Sequence, residues 1–371
     1  MIMEKKKIAH LFWGLTFGGI ETMLINIANA QAELGAEVYV ILVNEFVEPS
    51  LLNAFSDKVR VIQLHRKVGS RNPFFLWRLN MTLLSIKPDA IHLHSSKLYG
   101  CLWFKRLSRV TSQTLHDLPS GTVRRDGSLI GNVLGRKNAA DRGNVLYLDK
   151  IPRVFAISEA VRDMLLEKYG IDSIVVNNGI LTSNFKQRTG DEWHKPFKVV
   201  QVSRLDHEKK GQDLLIEAAA KLKGLIDVTF VGDGGSMEHL KRLTAQLSVE
   251  DNVHFMGKRD QSYIAHHLKD YDLFVQASRW EGFGLTVAEA MAAKVPVLVS
   301  EGQGPAEVTC GNKYGWLFKN GDADDLARQI QMVMQNRVQA LQKADSACRY
   351  VRETYDVSVT ARRYLENYLY R

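Results

Sequence analysis

VVQVSRLDHEKKGQDLLIEAAAKLKGLIDVTFVGDGGSMEHLKRLTAQL, residues 199–247, contains one full period of the pattern that organises the whole chain. An apolar run at 199–202 ends in a charged loop closed by Gly211, and apolar side chains at helical spacing follow over 212–222. A second apolar run at 228–231 ends in Gly232-Asp233-Gly234, and 237–247 is helical again. Short β-branched runs with no polar face read as strands covered on both sides, and their alternation with helices requires parallel crossovers. The rhythm continues with strands at 253–256, 273–276 and 295–299 and helices at 262–268 and 286–293. Upstream, strands at 8–12, 38–43, 59–63, 90–94 and 154–157 alternate with helical stretches such as 20–34.

The fold class is therefore α/β, with two Rossmann-like parallel-sheet domains. Residues 1–180 form the first and 197–352 the second; the polar interval 181–196, with Thr182-Ser183-Asn184, Thr189-Gly190-Asp191 and Pro196, reads as a linker. The tail is helical, with Tyr364, Leu365, Tyr368 and Leu369 on one face, and 353–371 is expected to return to the first domain. Parallel sheets bind ligands beyond the carboxyl ends of their strands, so two such domains facing each other are expected to share one cleft.

With 371 residues, 45% hydrophobic and 24% charged, the chain is long enough for two cores, which excludes a disordered protein. Cys101, Cys310 and Cys348 are few and lack metal-ligand spacing, which fits a reduced, cytoplasmic setting. The apolar run at 8–12 is too short for an export signal or a membrane span. Net charge is +8, and it is uneven: residues 1–190 carry 25 Lys and Arg against 16 Asp and Glu, the remainder 24 against 25. A basic first half suits nucleic acid, anionic lipid or phosphorylated substrates, and charge alone does not choose among them.

The chemistry concentrates in Glu281-Gly282-Phe283-Gly284-Leu285-Thr286-Val287-Ala288-Glu289, between a strand and a helix. On one continuous helix the two carboxylates would be turned apart by roughly 80°. A glycine turn can fold Glu281 back over the helix start, leave amides unpaired and aim the helix N-terminus at a diphosphate, while both carboxylates accept from sugar hydroxyls. Arg204, Lys209 and Lys210 lie in the loop after the strand 199–202, which reads either as a solvated basic loop or as cations that can neutralise charge on a departing diphosphate. Gly18 and Gly19 put a glycine pair at the start of the helix over 20–34, without the spacing of a dinucleotide fingerprint. His94 and His116 stand at or near strand ends, where each reads either as a structural histidine or as a group on a sugar hydroxyl. Gly232 and Gly234 read equally as a turn or as a donor contact. No metal ligand set and no cofactor motif is found.

The string from Glu281 to Glu289 resembles the signature of the retaining glycosyltransferases of family four: two glutamates with seven residues between them and Gly-Phe-Gly after the first. The resemblance extends to Gly18-Gly19-Ile20-Glu21, to His116-Asp117, and to an arginine and a lysine in the loop after the strand 199–202. It implies the two-domain GT-B architecture and a nucleotide diphosphate sugar donor, UDP- or GDP-linked. Glu289 would hold the nucleotide ribose. Glu281 and the backbone of Phe283, Gly284 and Leu285 would hold the transferred sugar, and the amides near Leu285 and Thr286 the phosphates. Arg204 and one of Lys209 and Lys210 would stabilise the leaving diphosphate; Lys210, adjacent to Gly211, is the expected one. His116 would lie near the donor sugar, and Gly18, Gly19 and Gly232 would line the donor site. Transfer would be retaining and metal-independent.

The acceptor is less legible. Arg66, Lys67, Arg71 and Arg78 interleave with Phe74, Phe75 and Trp77, and Trp103-Phe104-Lys105-Arg106 has the same texture. Such a stretch is either a helix with an aromatic core face or a surface that meets anionic membrane. The second reading fits a peripheral enzyme acting on a lipid-linked glycan in polysaccharide or lipopolysaccharide assembly. No nucleic-acid motif accompanies it. An epimerase on the same architecture is the alternative, and it would need an acid–base pair.

Overall fold

The computed structural model describes residues 5–16, 18–70, 72–116 and 146–370. Phe17, Arg71, Asp117 and the segment 122–143 lie outside them. The described residues form two compact units. Leu181–Asp356 makes up one; the residues before it, joined by Val357–Arg371, make up the other.

The first unit is built on β1 (Lys7–Phe12), β2 (Glu37–Asn44), β3 (Val59–Arg66), β4 (Ala90–Leu93), β5 (Thr111–Leu115), β6 (Arg153–Ala156) and β7 (Ile174–Val175). They form one sheet in the order β3-β2-β1-β4-β5-β6-β7, parallel throughout. The second unit repeats the plan with β8 (Phe197–Val202), β9 (Ile226–Val231), β10 (Val253–Gly257), β11 (Leu273–Gln276), β12 (Val297–Ser300) and β13 (Trp316–Phe318). Its order is β10-β9-β8-β11-β12-β13, again all parallel. In each sheet the order reverses beside the first strand, between β1 and β4 and between β8 and β11, which is where connections leave on opposite sides and open a crevice.

Each sheet has its own core. Ile8, Leu24, Val40, Phe155 and Tyr364 belong to the first; Val199, Leu215, Phe230, Leu298 and Leu326 to the second. Local signals set the helix ends. Ser158 accepts the Val161 amide at 3.2 Å to open the helix Glu159–Tyr169, and Gly170 closes it at φ 65. Asp322 likewise caps Ala323–Gln335 by accepting from Asp325 at 3.0 Å.

One departure from the sequence reading matters. Residues 181–196, expected as a linker, are built into the second unit. Arg188 is buried there, gives its guanidinium to the carbonyls of Tyr271 (2.7 Å) and Glu192 (2.6 Å), and pairs with Asp272 at 2.9 Å. A polar stretch looks loose in a sequence because its partners are distant in the chain. The tail is helical, with Arg337–Thr354 in the second unit and Val357–Asn367 in the first. Among the described residues no helix is long and apolar enough to cross a membrane.

Candidate active site

In the second unit the loops after β8, β9 and β11 pack backbone against backbone at the strands' carboxyl ends. Glycine makes this possible. A Cβ on Gly211 would lie 2.0 Å from the Ala277 carbonyl oxygen, and one on Gly232 would lie 1.9 Å from that of Ser203. The need for glycine at 232 thus comes from this close approach. The packing carries Lys210 to Glu281, where its Nζ and Oε2 form a tight ion pair, both side chains mostly buried. Ser278 and Gln276 also donate to that oxygen, at 3.3 and 3.4 Å. Burial alone would raise the Glu281 carboxyl, but Lys210, with Lys209 adding to it, holds it below its ordinary value. Glu281 is a carboxylate in place, already bound to a cation.

The turn that follows is braced from 303–305. Gln303 accepts the Glu281 amide at 3.2 Å, and Gly304 donates to the Glu281 carbonyl at 3.0 Å. Gly304 approaches so closely that a Cβ would meet the Gly282 carbonyl at 2.5 Å. Gly284, at φ 102, then caps the helix Leu285–Ala292. The amides of Leu285 and Thr286 open that helix, where no preceding carbonyl is available to them. Further along it, the Glu289 carboxyl is buried, with Oε1 accepting from Gln261 at 2.8 Å and Oε2 without a partner among the described residues. Burial pushes this carboxyl up to about 7, against the opposing effect of Gln261. Glu281 and Glu289 thus sit in opposite electrostatic states on one turn-and-helix unit.

Arg204 is exposed and rests on Asp206 at 3.3 Å, so its guanidinium is held by that neighbour rather than by the Glu281–Lys210 pair. Of the two adjacent lysines, Lys210 is the one whose ammonium reaches Glu281; the carbonyl of Lys209 accepts the Arg279 amide at 2.9 Å. The structure therefore brings together Lys210, Glu281, Phe283, Gly284, Leu285, Thr286 and Glu289 around one turn. Gln261, Gln276, Ser278 and Gln303 went unremarked in the sequence. Gln276, a polar residue ending the otherwise apolar β11, was the signal available.

Gly18, Gly19 and His116 belong to the first unit. Gly18 is extended and caps the helix Gly19–Glu33; a Cβ there would strike the Glu21 carboxylate at 2.5 Å, which Thr16 holds at 2.7 Å. His116 ends a buried row of histidines absent from the sequence reading except for His94. Nε2 of His116 meets Nδ1 of His94 at 3.2 Å, and Nε2 of His94 meets Nδ1 of His10 at 3.1 Å. Nε2 of His10 meets Oε1 of Gln31 at 2.8 Å. His92 lies against the row, with Nδ1 on the Tyr368 hydroxyl (2.7 Å) and Nε2 on the Thr114 hydroxyl (2.8 Å). Burial holds all four imidazoles down, His10 to about 4, His116 to about 3 and His92 and His94 well below their ordinary value, so they are neutral. His10, His92 and His94 are close enough to share an ion, but all six of their ring nitrogens already have hydrogen-bond partners.

The aromatic stretch resolves against a core face. On the helix Phe74–Ile86 the buried residues are Leu79, Asn80, Leu83 and Ile86. Phe74 and Trp77 stack at 5.3 Å on the outside, 57% and 49% exposed. Asn80 ties this helix to the next segment by accepting the Trp103 amide at 2.9 Å, so Trp103, 52% exposed, joins the same surface. Lys67, Lys105 and Arg106 are exposed around it, whereas Arg66 and Arg78 are spent on backbone carbonyls of Ser70 and Leu64.

Two parallel α/β units, with a glutamate-bearing glycine turn at the switch point of the second, define the architecture of GT-B glycosyltransferases. Residues 183–353 match the family described as glycosyl transferases group 1, and residues 17–184 match glycosyltransferase family 4. Together these cover nearly the whole chain, which belongs to the GT-B glycosyltransferases of group 1. An amylovoran biosynthesis glycosyltransferase of Erwinia amylovora is 35% identical over 162 residues, 41% of this chain and 40% of the relative. The poly(ribitol-phosphate) alpha-N-acetylglucosaminyltransferase of Staphylococcus aureus is 28% identical over 223 residues, 58% of this chain and 44% of the relative. The matches span less than half the length of these curated relatives. Anabaena HepE, solved in complex with UDP and glucose, shares the fold at TM-score 0.79 and 22% identity, over 97% of this chain and 98% of that one.

Proposed function

We propose that the protein transfers a sugar, with retention, from a UDP- or GDP-sugar to a hydroxyl of a lipid-linked glycan, without a metal ion, in the assembly of a cell-surface polysaccharide or lipopolysaccharide. The observation that carries this reading is the Glu281-to-Glu289 unit. Glu289 offers one carboxyl oxygen steadied by Gln261 and a second, buried and unpartnered among the described residues, which suits a pair of adjacent ribose hydroxyls. The amides of Leu285 and Thr286 at the same helix start suit the diphosphate. The Glu281–Lys210 pair then orients the sugar and meets the developing phosphate charge.

In the step itself the bond from the sugar's anomeric carbon to the diphosphate oxygen breaks. The departing oxygen takes the proton of the acceptor hydroxyl, and that hydroxyl's oxygen bonds to the anomeric carbon on the same face. Glu281, tied to Lys210, orients rather than attacks. Positive charge comes from Lys210, Arg204 and the helix start. Relatives named for amylovoran biosynthesis and for a poly(ribitol-phosphate) acceptor support the polymer reading, and the complex of HepE with UDP and glucose supports the donor class.

The exposed Phe74, Trp77 and Trp103 with Lys67, Lys105 and Arg106 favour peripheral docking on the cytoplasmic face of a membrane, near a lipid-linked acceptor. Calorimetric titration of UDP, GDP and ADP, with and without EDTA, tests the donor reading. One nucleotide should bind in EDTA, and Glu289→Ala should weaken it at least about tenfold; absence of binding, or equal binding by the variant, overturns the assignment. Co-sedimentation with anionic vesicles should be lost on combining Trp77→Ser, Trp103→Ser and Lys105→Ser; unchanged sedimentation removes the membrane role.

A further inference from the structure

The histidine row of the first unit ends at a titratable atom with nothing to bind. Nδ1 of His116 is buried and without a partner among the described residues. The rest of the row is fully engaged, and its contacts are directional. The planes of His94 and His116 differ by 10° with ring centres 5.4 Å apart, and those of His10 and His94 by 26° at 5.4 Å. Nearly parallel planes with nitrogens at 3.2 and 3.1 Å place each contact edge to edge, where an N–H of one ring faces the lone pair of the next. A neutral imidazole has one donor and one acceptor, so setting the proton on any one ring sets it on all of them.

Gln31 does the setting. Its amide nitrogen donates to the Tyr368 hydroxyl at 3.0 Å, so its oxygen faces His10 at 2.8 Å and accepts from Nε2–H there. Nδ1 of His10 is then an acceptor, and His94 donates to it from Nε2. Nδ1 of His94 is in turn an acceptor, and His116 donates to it from Nε2. The opposite arrangement would leave a buried N–H on His116 with no acceptor, which costs more than an unfilled lone pair.

We infer that Gln31, acting through His10 and His94, locks His116 into the Nε2-protonated tautomer, so that His116 meets its ligand through Nδ1 as a hydrogen-bond acceptor, receiving a hydrogen bond from a hydroxyl rather than donating one. Gln31, His10 and His94 are positioning residues. The ligand half of this inference rests on the reading that His116 lies at the donor sugar; the tautomer half does not.

Nitrogen-15 NMR of histidine-labelled full-length protein at neutral pH, with His116 assigned by His116→Gln, tests the relay. Nδ1 of His116 should show the shift of a bare ring nitrogen, and Nε2 that of a protonated one. Gln31→Met, which removes the anchor at similar volume, should give His116 a mixed signature three hydrogen bonds away and lower kcat/KM for the donor about threefold to tenfold. Protonated Nδ1 in the unaltered protein, or an unchanged His116 signature in folded Gln31→Met, overturns the relay and leaves the transferase reading intact. Full turnover by His116→Gln, with the tautomer signature as expected, overturns the ligand half alone.

Discussion

Replacing Glu289 by glutamine tests a carboxyl whose proton is held by burial. Burial lifts this carboxyl from an ordinary 4.5 to about 7, so the folded protein binds its proton more tightly than the unfolded chain does. The associated stability is therefore fully present below pH 4.5 and is lost as pH rises to 7. A gap of about 2.5 pH units at 1.36 kcal/mol each gives about 3 kcal/mol, lost at a limiting slope of about 1.4 kcal/mol per pH unit and level above pH 7. Glu289→Gln does not titrate and retains a polar partner for Gln261. The difference in unfolding free energy between the two proteins, from guanidinium titrations at about pH 5 to 8.5, isolates this group from all others. The variant should gain on the wild type by about 2–3 kcal/mol across that range, the rest of the loss lying below pH 5. Parallel stability profiles would refute the reasoning. Nucleotide binding reports the same group from the other side: hydroxyls donating to Oε2 favour the carboxylate, so binding near pH 7 should release about half a proton, measurable by calorimetry in buffers of different ionisation enthalpy.

Other outcomes follow from the packing of the site. Lys210→Met should lower kcat about 10²–10³-fold, whereas Lys209→Met should cost under about tenfold; equal effects in a transfer assay would undo the assignment of the ion pair to Lys210. Gly304→Ala places a Cβ 2.5 Å from the Gly282 carbonyl and must displace the turn, so nucleotide affinity should fall at least about tenfold with an unchanged circular dichroism spectrum; undiminished binding would show the turn is not held as described. Tyr368→Phe leaves Gln31 and His92 each short of a buried partner and should lower unfolding free energy by about 1–3 kcal/mol in urea, an effect absent for the exposed-face change Glu366→Ala.

The apolar strands were legible because hydropathy and periodicity report them directly: β1, β2, β8, β9 and β11 lie close to where the sequence put them. Strand β5 was not. Thr111-Ser112-Gln113-Thr114-Leu115 is buried throughout yet nearly all polar, made tolerable by bonds such as Ser112 to the Ile91 carbonyl at 3.1 Å and Thr111 to that of Leu107 at 2.8 Å. Those partners lie on other elements, so no local pattern announces them. The same holds for the site. Glu281, Gly284 and Glu289 form a contiguous string with recognisable spacing, whereas Gln261 and Gln303 reach the string from the starts of two other helices. His10, His92 and His94 become neighbours only through the β1–β4 pairing, in which His10 stands opposite His92.

The division of the first unit bears on how the chain folds. Its core is written in two pieces, and Tyr364 and Tyr368, which complete it against His92 and Phe155, arrive only after the 176 residues of Leu181–Asp356. Closing a flexible loop of that length carries a length-dependent entropy of roughly 4–5 kcal/mol. The Val357 amide donates to the Ile180 carbonyl at 2.9 Å, so in the finished molecule the two ends of the insertion lie side by side. An insertion that folds first has already brought its ends together, and the tail then docks as a nearby segment. Until then the face that contains Gln31 and His92 stays open to water, and the histidine row cannot acquire its fixed polarity. The first unit thus draws its completing segment from beyond the second unit in the chain.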